Sequence, residues 1–236
     1  IMFYQAVVFV LSIAATIYAI EIYTHYNFLK NLLVHKDRTI QIESVFASLL
    51  LFKDLLSGNI SIIDSEYWSW SVKAPILLES ITSIFGILVL IGFYLALLAK
   101  LTFKKPKITE EIFLEATLLV ILLTLSFQKV LSTQFFIWLI PISAIWLAKN
   151  RSAWFLIIFS FLFFATFFIF SIDYYALLNQ APLMVEVLFL RNLVLVIFTC
   201  FLTLRFFKRF SWAIRLLKFT LTAPALEIPA VAAGER

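Results

Sequence analysis

The chain has 236 residues and a formal net charge of +5, with 63% of its residues hydrophobic and 14% charged; an ordinary soluble domain has about 45–50% and 25%. That balance belongs to a membrane protein, and 27 Phe beside only 4 Gly exclude a fibrous or disordered chain. No internal repeat of useful length is visible, so one integral domain accounts for the chain.

The opening stretch "IMFYQAVVFVLSIAATIYAI" has no basic n-region and no convincing small-residue cleavage site, which argues against a signal peptide. A chain that opens inside an apolar run is expected to be a fragment whose upstream part is missing. Six apolar runs follow one another at about 1–20, 80–101, 110–131, 133–148, 152–170 and 183–205. About 20 apolar residues, at 1.5 Å each, cross a hydrocarbon core of roughly 30 Å. The expected fold is therefore all-α, a polytopic transmembrane helical bundle of about six membrane spans.

Basic residues gather in three places: Lys100, Lys104, Lys105 and Lys107; Lys149 and Arg151; and Arg205, Lys208, Arg209, Arg215 and Lys218. Basic loops stay on the cytoplasmic side, and the last four runs supply crossings in the alternation this requires. The C-terminus is then cytoplasmic, while the hairpin tip at 127–134, the loop "SIDYYALLNQAP" and the segment at about 21–79 are external. The transmembrane domain is expected over 1–218, with a poorly ordered cytoplasmic tail at 219–236. The stretch "RFFKRFSWAIRLLKF" reads as a basic amphipathic helix on an anionic leaflet. Lipid, rather than nucleic acid, accounts for the net charge.

Within the external segment, "EIYTHYNFLKNLLVHKDR" has helical spacing suited to the membrane interface. "SVFASLLLFKDLL" is too short to span and reads as a re-entrant or interfacial helix. "YWSWSVKAP" has the aromatics of a membrane–water boundary.

Three polar groups stand out. The run 133–148 is 16 residues, about 24 Å as a helix, and its far end is held by Lys149 and Arg151. Its shortfall sinks the tip "FQKVLSTQ", with Lys129 and Gln134, below the headgroups, where polar backbone must line a cavity or be buried in protein. Thr133 or Ser132 can cap the following helix and Pro141 can kink it. Arg191, in "FLRN" beside Asn192, lies about nine residues into the last span, some 13 Å deep, where an ionisable side chain is a functional hypothesis. The alternative is that Arg191 pairs with Glu115 or Glu186, or snorkels. The turn "HKDRTIQIES" concentrates His35, Lys36, Asp37, Arg38, Gln41 and Glu43. Glu43, at the start of an apolar stretch, could serve as a general base; a solvated turn is the alternative.

Other polar residues read as structural. Asp173, Tyr174 and Tyr175 read as a loop anchored by interfacial aromatics, and Glu110 and Glu111 suit the first turn of a helix. The single Cys200 allows no disulfide framework, and His25 and His35 lack companions at metal-ligand spacing, so no metal site is expected. No glycine-rich phosphate loop or nucleophile elbow is present.

Together "DRTIQIESVFASLL", "KVLSTQFFIWLIP" and "FLRN" resemble polytopic glycosyltransferases of the GT-C fold, and among them the bacterial polyprenol-phosphate-mannose-dependent mannosyltransferases. A family pattern Arg-Gly-Leu-Gln-Ile-Glu-Ser is matched by Arg38, Thr39, Ile40, Gln41, Ile42, Glu43 and Ser44, with Thr in place of Gly. A second, Lys-Val-x-Ser-Pro-Gln-Tyr followed by Trp and Pro, is matched by Lys129, Val130, Ser132, Gln134, Trp138 and Pro141; Thr133 replaces Pro and Phe135 replaces Tyr. The resemblance runs from about residue 30 to 200. It implies transfer of a sugar from a polyprenyl-phosphate-linked donor to a glycan or glycolipid acceptor at the external face of the cell membrane, with inversion and without cofactor. It also implies that Arg38, Lys129 and Arg191 meet phosphate charge, Gln41 and Gln134 sugar hydroxyls, and Glu43 or Asp37 the acceptor, with Asn192 beside them. The acidic base of such folds sits in the first external loop, so the chain would be a C-terminal half lacking it. A transporter or flippase of a lipid-linked or anionic substrate is the alternative.

Overall fold

A computed structural model describes residues 39–66, 69–104, 109–132 and 134–222, together with 8, 11, 12, 14–20 and 22 near the start. The interfacial helix expected over 21–38, most of the span at 1–20, and the tail beyond 222 lie outside the described residues. Residues 14–20 are helical.

The described chain is mostly helical. After strand β1 (Ile40–Gln41) come helix α1 (Val45–Ser57), strands β2 (Ile63–Glu66) and β3 (Ser69–Val72), and helices α2 (Ile76–Lys104), α3 (Glu110–Phe127), α4 (Gln134–Asn150), α5 (Ala153–Ser171), α6 (Tyr174–Leu178) and α7 (Pro182–Thr222). Among the described residues three helices are long and apolar enough to cross a membrane: Ile76–Thr102, Ala153–Ser171 and Pro182–Lys208, with mean hydropathies of 2.5, 2.5 and 2.3. α3 and α4 fall outside this group: α3 carries Glu110, Glu111 and Glu115 within 18 residues, and α4, with 17 residues, reaches only about 25 Å.

Local chemistry sets the helix ends. Thr109 caps α3 by accepting from the Ile112 amide at 3.4 Å, and Glu110 and Glu111 complement its positive end. Pro182, which has no amide hydrogen to lose, opens α7. At the end of α1, Gly58 adopts φ 69°, and the Asn59 amide reaches back to Asp54 O at 2.9 Å, the usual way a glycine closes a helix. Gly86 matters for packing instead: a Cβ there would collide with the Phe127 carbonyl, so its absence lets α2 cross close to the end of α3.

One apolar core, including Leu118, Leu122, Leu139, Phe159, Leu195 and Leu202, joins α3, α4, α5 and α7. Cations mark one end of this bundle: Lys149 pairs with Glu110 at 2.8 Å, and Lys100 donates to Phe207 O at 2.7 Å. A second core at the opposite end, including Ile40, Ile42, Leu51, Val72, Leu177 and Leu188, seats β1 and α1 on α6 and α7. Phe52 of α1 stacks on Phe189 of α7 at 4.0 Å.

Two expectations change. The fold is not purely helical, because β1, β3 and β2 form an antiparallel sheet in that order, with Val72 opposite both Ile40 and Ile63. "SWSV", expected as boundary aromatics, is its central strand. Strands of two to four residues are too short to print an alternating pattern. α7 continues past 218 to Thr222. Its 41 residues extend about 60 Å, roughly twice the hydrocarbon thickness.

Candidate functional site

The chain between β1 and α1 makes a tight turn whose backbone is held from three directions. Inside the turn, the Ser44 amide donates to Gln41 O at 2.9 Å, and Ser44 Oγ caps α1 by accepting from the Ala47 amide at 3.1 Å. On one flank the Ile42 amide donates to Trp70 O in β3 at 3.0 Å; on the other the Gln41 amide donates to Lys129 O, also at 3.0 Å. The α3–α4 hairpin tip therefore docks by its backbone onto the turn carrying Gln41 and Glu43.

α7 supplies the third direction. Arg191 Nη2 donates to Glu43 O at 2.7 Å, while Arg191 Nε and Nη2 both donate to Asn192 Oδ1, at 3.1 and 2.9 Å. Asn192 Nδ2 completes the clamp by donating to Glu43 O and Ser44 O, each at 3.1 Å. The guanidinium lies 5.1 Å from the centroid of the Phe136 ring on α4, a cation–π contact. Arg191 is 0% exposed, the largest fully buried side chain among the described residues. The sequence alternatives for its partner give way to a backbone carbonyl 148 residues distant, and Glu186 faces outward.

The Glu43 carboxyl is buried as well. Tyr174, the first residue of α6, donates its hydroxyl to Glu43 Oε1 at 2.7 Å. Burial pushes the Glu43 pKa above its ordinary value; the Tyr174 hydroxyl, Glu43's own amide, the Arg191 charge and the Gln41 side chain oppose that rise. Burial and the neighbouring carboxylate raise the Tyr174 phenol in turn. The hydroxyl therefore stays protonated and remains a donor. This corrects the reading of Tyr174 as an anchoring aromatic. Its partner lies 131 residues away, a separation that leaves no trace in local pattern.

Five of the eight residues singled out from sequence thus come together: Gln41, Glu43, Arg191 and Asn192 around the turn, and Lys129 through its backbone carbonyl. All five are buried. Gln134 stands exposed at the first position of α4, and Asp37 and Arg38 lie outside the described residues, as does the candidate cap Thr133. About two turns along α7, Thr199 and Ser126 share a buried hydrogen bond of 2.9 Å, a polar link between α3 and α7 that sequence reading did not single out. Among the described residues no cluster of His, Cys, Asp and Glu could hold a metal ion.

The arrangement holds a carboxyl, two amides and a guanidinium at one end of an apolar bundle, with the backbone of buried Lys129 docked beside them. A carboxyl that burial raises above its ordinary pKa holds its proton to higher pH than an exposed one, and buried cations stabilise anionic charge more strongly than they would in water. No known protein family, characterised protein or solved structure matches the chain.

Proposed function

We propose that the protein is an integral membrane glycosyltransferase. On this reading it moves a hexose, mannose or a close relative, from a polyprenyl-phosphate donor to a glycan or glycolipid acceptor at the external face. The observation that carries the proposal is the joining of three distant segments in one centre: Gln41 N to Lys129 O at 3.0 Å and Arg191 to Glu43 O at 2.7 Å. The same segments carry the resemblance to polyprenyl-phosphate-dependent mannosyltransferases of the GT-C fold. In this reading α3 and α4 are also membrane spans, the cationic end of the bundle is cytoplasmic, and the apolar walls accept the polyprenyl tail.

In the reaction an acceptor hydroxyl oxygen attacks the anomeric carbon as the bond from that carbon to the phosphate oxygen breaks. Polyprenyl phosphate departs, and the hydroxyl proton passes to a carboxylate base. Lys129, and Arg38 beyond the described residues, stabilise charge on the departing phosphate. Gln41 and Gln134 meet sugar hydroxyls, and Glu43 orients the acceptor. Arg191 directs its donors to Glu43 O and Asn192, so it and Asn192 hold the turn in place.

The test is sugar transfer by the purified full-length protein in nanodiscs, supplied with polyprenyl-phosphate mannose and a glycolipid acceptor. Lys129→Met should lower kcat at least tenfold while the protein remains folded. Undiminished transfer in that variant removes Lys129 from the site. No transfer by wild type with any lipid-linked sugar, together with movement of that lipid between leaflets, replaces the transferase with a flippase.

A further inference from the structure

Three buried polar atoms at this centre have no hydrogen-bond partner: Gln41 Oε1, Glu43 Oε2 and Arg191 Nη1. Their residues are 6%, 3% and 0% exposed, so bulk solvent does not serve them. They belong to side chains gathered around Glu43. The Gln41 side chain and the Arg191 charge both act on the Glu43 carboxyl, and the other guanidinium nitrogen, Nη2, reaches Glu43 O at 2.7 Å. Buried polar groups in folded proteins are almost always paired, if necessary by an internal water. Three orphan atoms on side chains grouped at one turn therefore point to a resident group.

The inventory of donors and acceptors identifies its chemistry. Gln41 Oε1 and an ionised Glu43 Oε2 only accept, whereas Arg191 Nη1 only donates. The missing group must offer two hydrogens and one lone pair. We propose that one water molecule occupies this centre, donating to Gln41 Oε1 and Glu43 Oε2 and accepting from Arg191 Nη1. A phosphate oxygen offers no hydrogen to the two acceptors and is repelled by the carboxylate. A metal cation suits the acceptors but is repelled by the guanidinium. If Glu43 is protonated at Oε2, one bond reverses direction, and water, with two hydrogens and two lone pairs, still meets all three atoms.

The water links the side chains of β1, the turn and α7 where their direct bonds stop, and it makes Arg191 a positioning residue rather than a phosphate ligand. The further consequence, that the donor phosphate binds on the Lys129 side of the centre, rests on the transferase reading. The water itself does not.

An electron cryomicroscopy structure of the full-length protein in nanodiscs, at a resolution that shows ordered water, tests the inference. The expected result is one compact peak within hydrogen-bond distance of Gln41 Oε1, Glu43 Oε2 and Arg191 Nη1. An empty centre overturns the inference, and so does tetrahedral anion density. A second measurement separates water from anion: inorganic phosphate should leave the melting midpoint of the wild-type protein unchanged. A phosphate-dependent rise that disappears in Arg191→Lys would make the centre an anion site and refute the proposal. Failure of sugar transfer would count against the enzymatic reading alone, because neither measurement depends on turnover.

Discussion

Replacing Tyr174 by Phe deletes one oxygen and leaves the ring on its stack with Phe170, 4.7 Å between centroids. The cost then comes from Glu43 Oε1, which loses its donor at 2.7 Å while Oε2 already has no protein partner. A hydrogen bond to an ionised group contributes about 1.5–3 kcal/mol and one between neutral groups about 0.5–1.5 kcal/mol, so the penalty should depend on whether Glu43 is ionised. Burial raises the folded-state pKa of Glu43 above its ordinary value of 4.5. The folded protein therefore holds this proton more tightly than the unfolded chain. The associated stability is fully present below pH 4.5 and is lost as pH rises through the raised value. The Tyr174 bond lowers that pKa; Tyr174→Phe raises it further and extends the window of loss to higher pH. Unfolding in mixed micelles, followed by tryptophan fluorescence, should show Tyr174→Phe less stable by about 1.5–3 kcal/mol at mildly alkaline pH. The deficit should narrow by about 1 kcal/mol near pH 4. A deficit identical at both pH values, or none at either, refutes the assignment of Tyr174 as the donor to a buried, titrating Glu43.

Asn192→Ala removes two bonds to the turn, to Glu43 O and Ser44 O, and should lower stability by about 2–4 kcal/mol, with faster amide exchange at Ser44 and Ala47 as the local signature. Gly86→Ala places a methyl group against the Phe127 carbonyl and should cost about 1–3 kcal/mol through overpacking, read as a lower melting midpoint with unchanged helix content. Thr199→Val leaves Ser126 Oγ buried without its partner at 2.9 Å; a loss of about 1–3 kcal/mol is expected, and Ser126→Ala in the same chain should recover part of it in a double-mutant cycle. Gln180→Ala deletes the amide that accepts from the Ser61 backbone at 3.0 Å and donates to it at 2.7 Å, so protease cleavage in the chain between α1 and β2 should accelerate.

Much of the fold was legible because apolar length is a local property. The runs at 80–101, 110–131, 133–148, 152–170 and 183–205 each coincide with a helix, and "SVFASLLLFKDLL" became α1, a 13-residue helix too short to span. The sheet was missed because its ladder joins Ile40 to Val72 and Val72 to Ile63 across irregular sequence, in strands too short for their own periodicity to show. Depth along a span marked Arg191 as unusual, since a charge there demands a partner. The choice of partner was invisible: Glu115 and Glu186 were candidates as carboxylates within the apolar runs, while the carbonyl of Glu43 comes from a separate element. Lys129 was placed at a recessed tip by the shortness of α4, and it is 8% exposed. The same argument placed Gln134 there, yet as the first residue of α4 it is exposed. Tyr174 looked like an interfacial ring because the feature that defines its role, the hydroxyl on Glu43 Oε1, exists only after α6 folds against the turn.

The union of the turn at 39–44 with the hairpin tip at 128–132 is the contact on which the candidate site depends. Its most direct test is a disulfide between Gln41→Cys and Lys129→Cys in full-length protein whose Cys200 is replaced by Ser. The backbone bond of 3.0 Å between these residues places their Cα atoms within the roughly 4.4–6.8 Å that a disulfide spans. Mild oxidation in native membranes should crosslink the pair rapidly, with proteolysis between the two positions leaving the fragments joined until a reductant is added. Fragments that separate without reductant, while Gln41→Cys and Lys129→Cys each react singly with a soluble maleimide, would contradict the account.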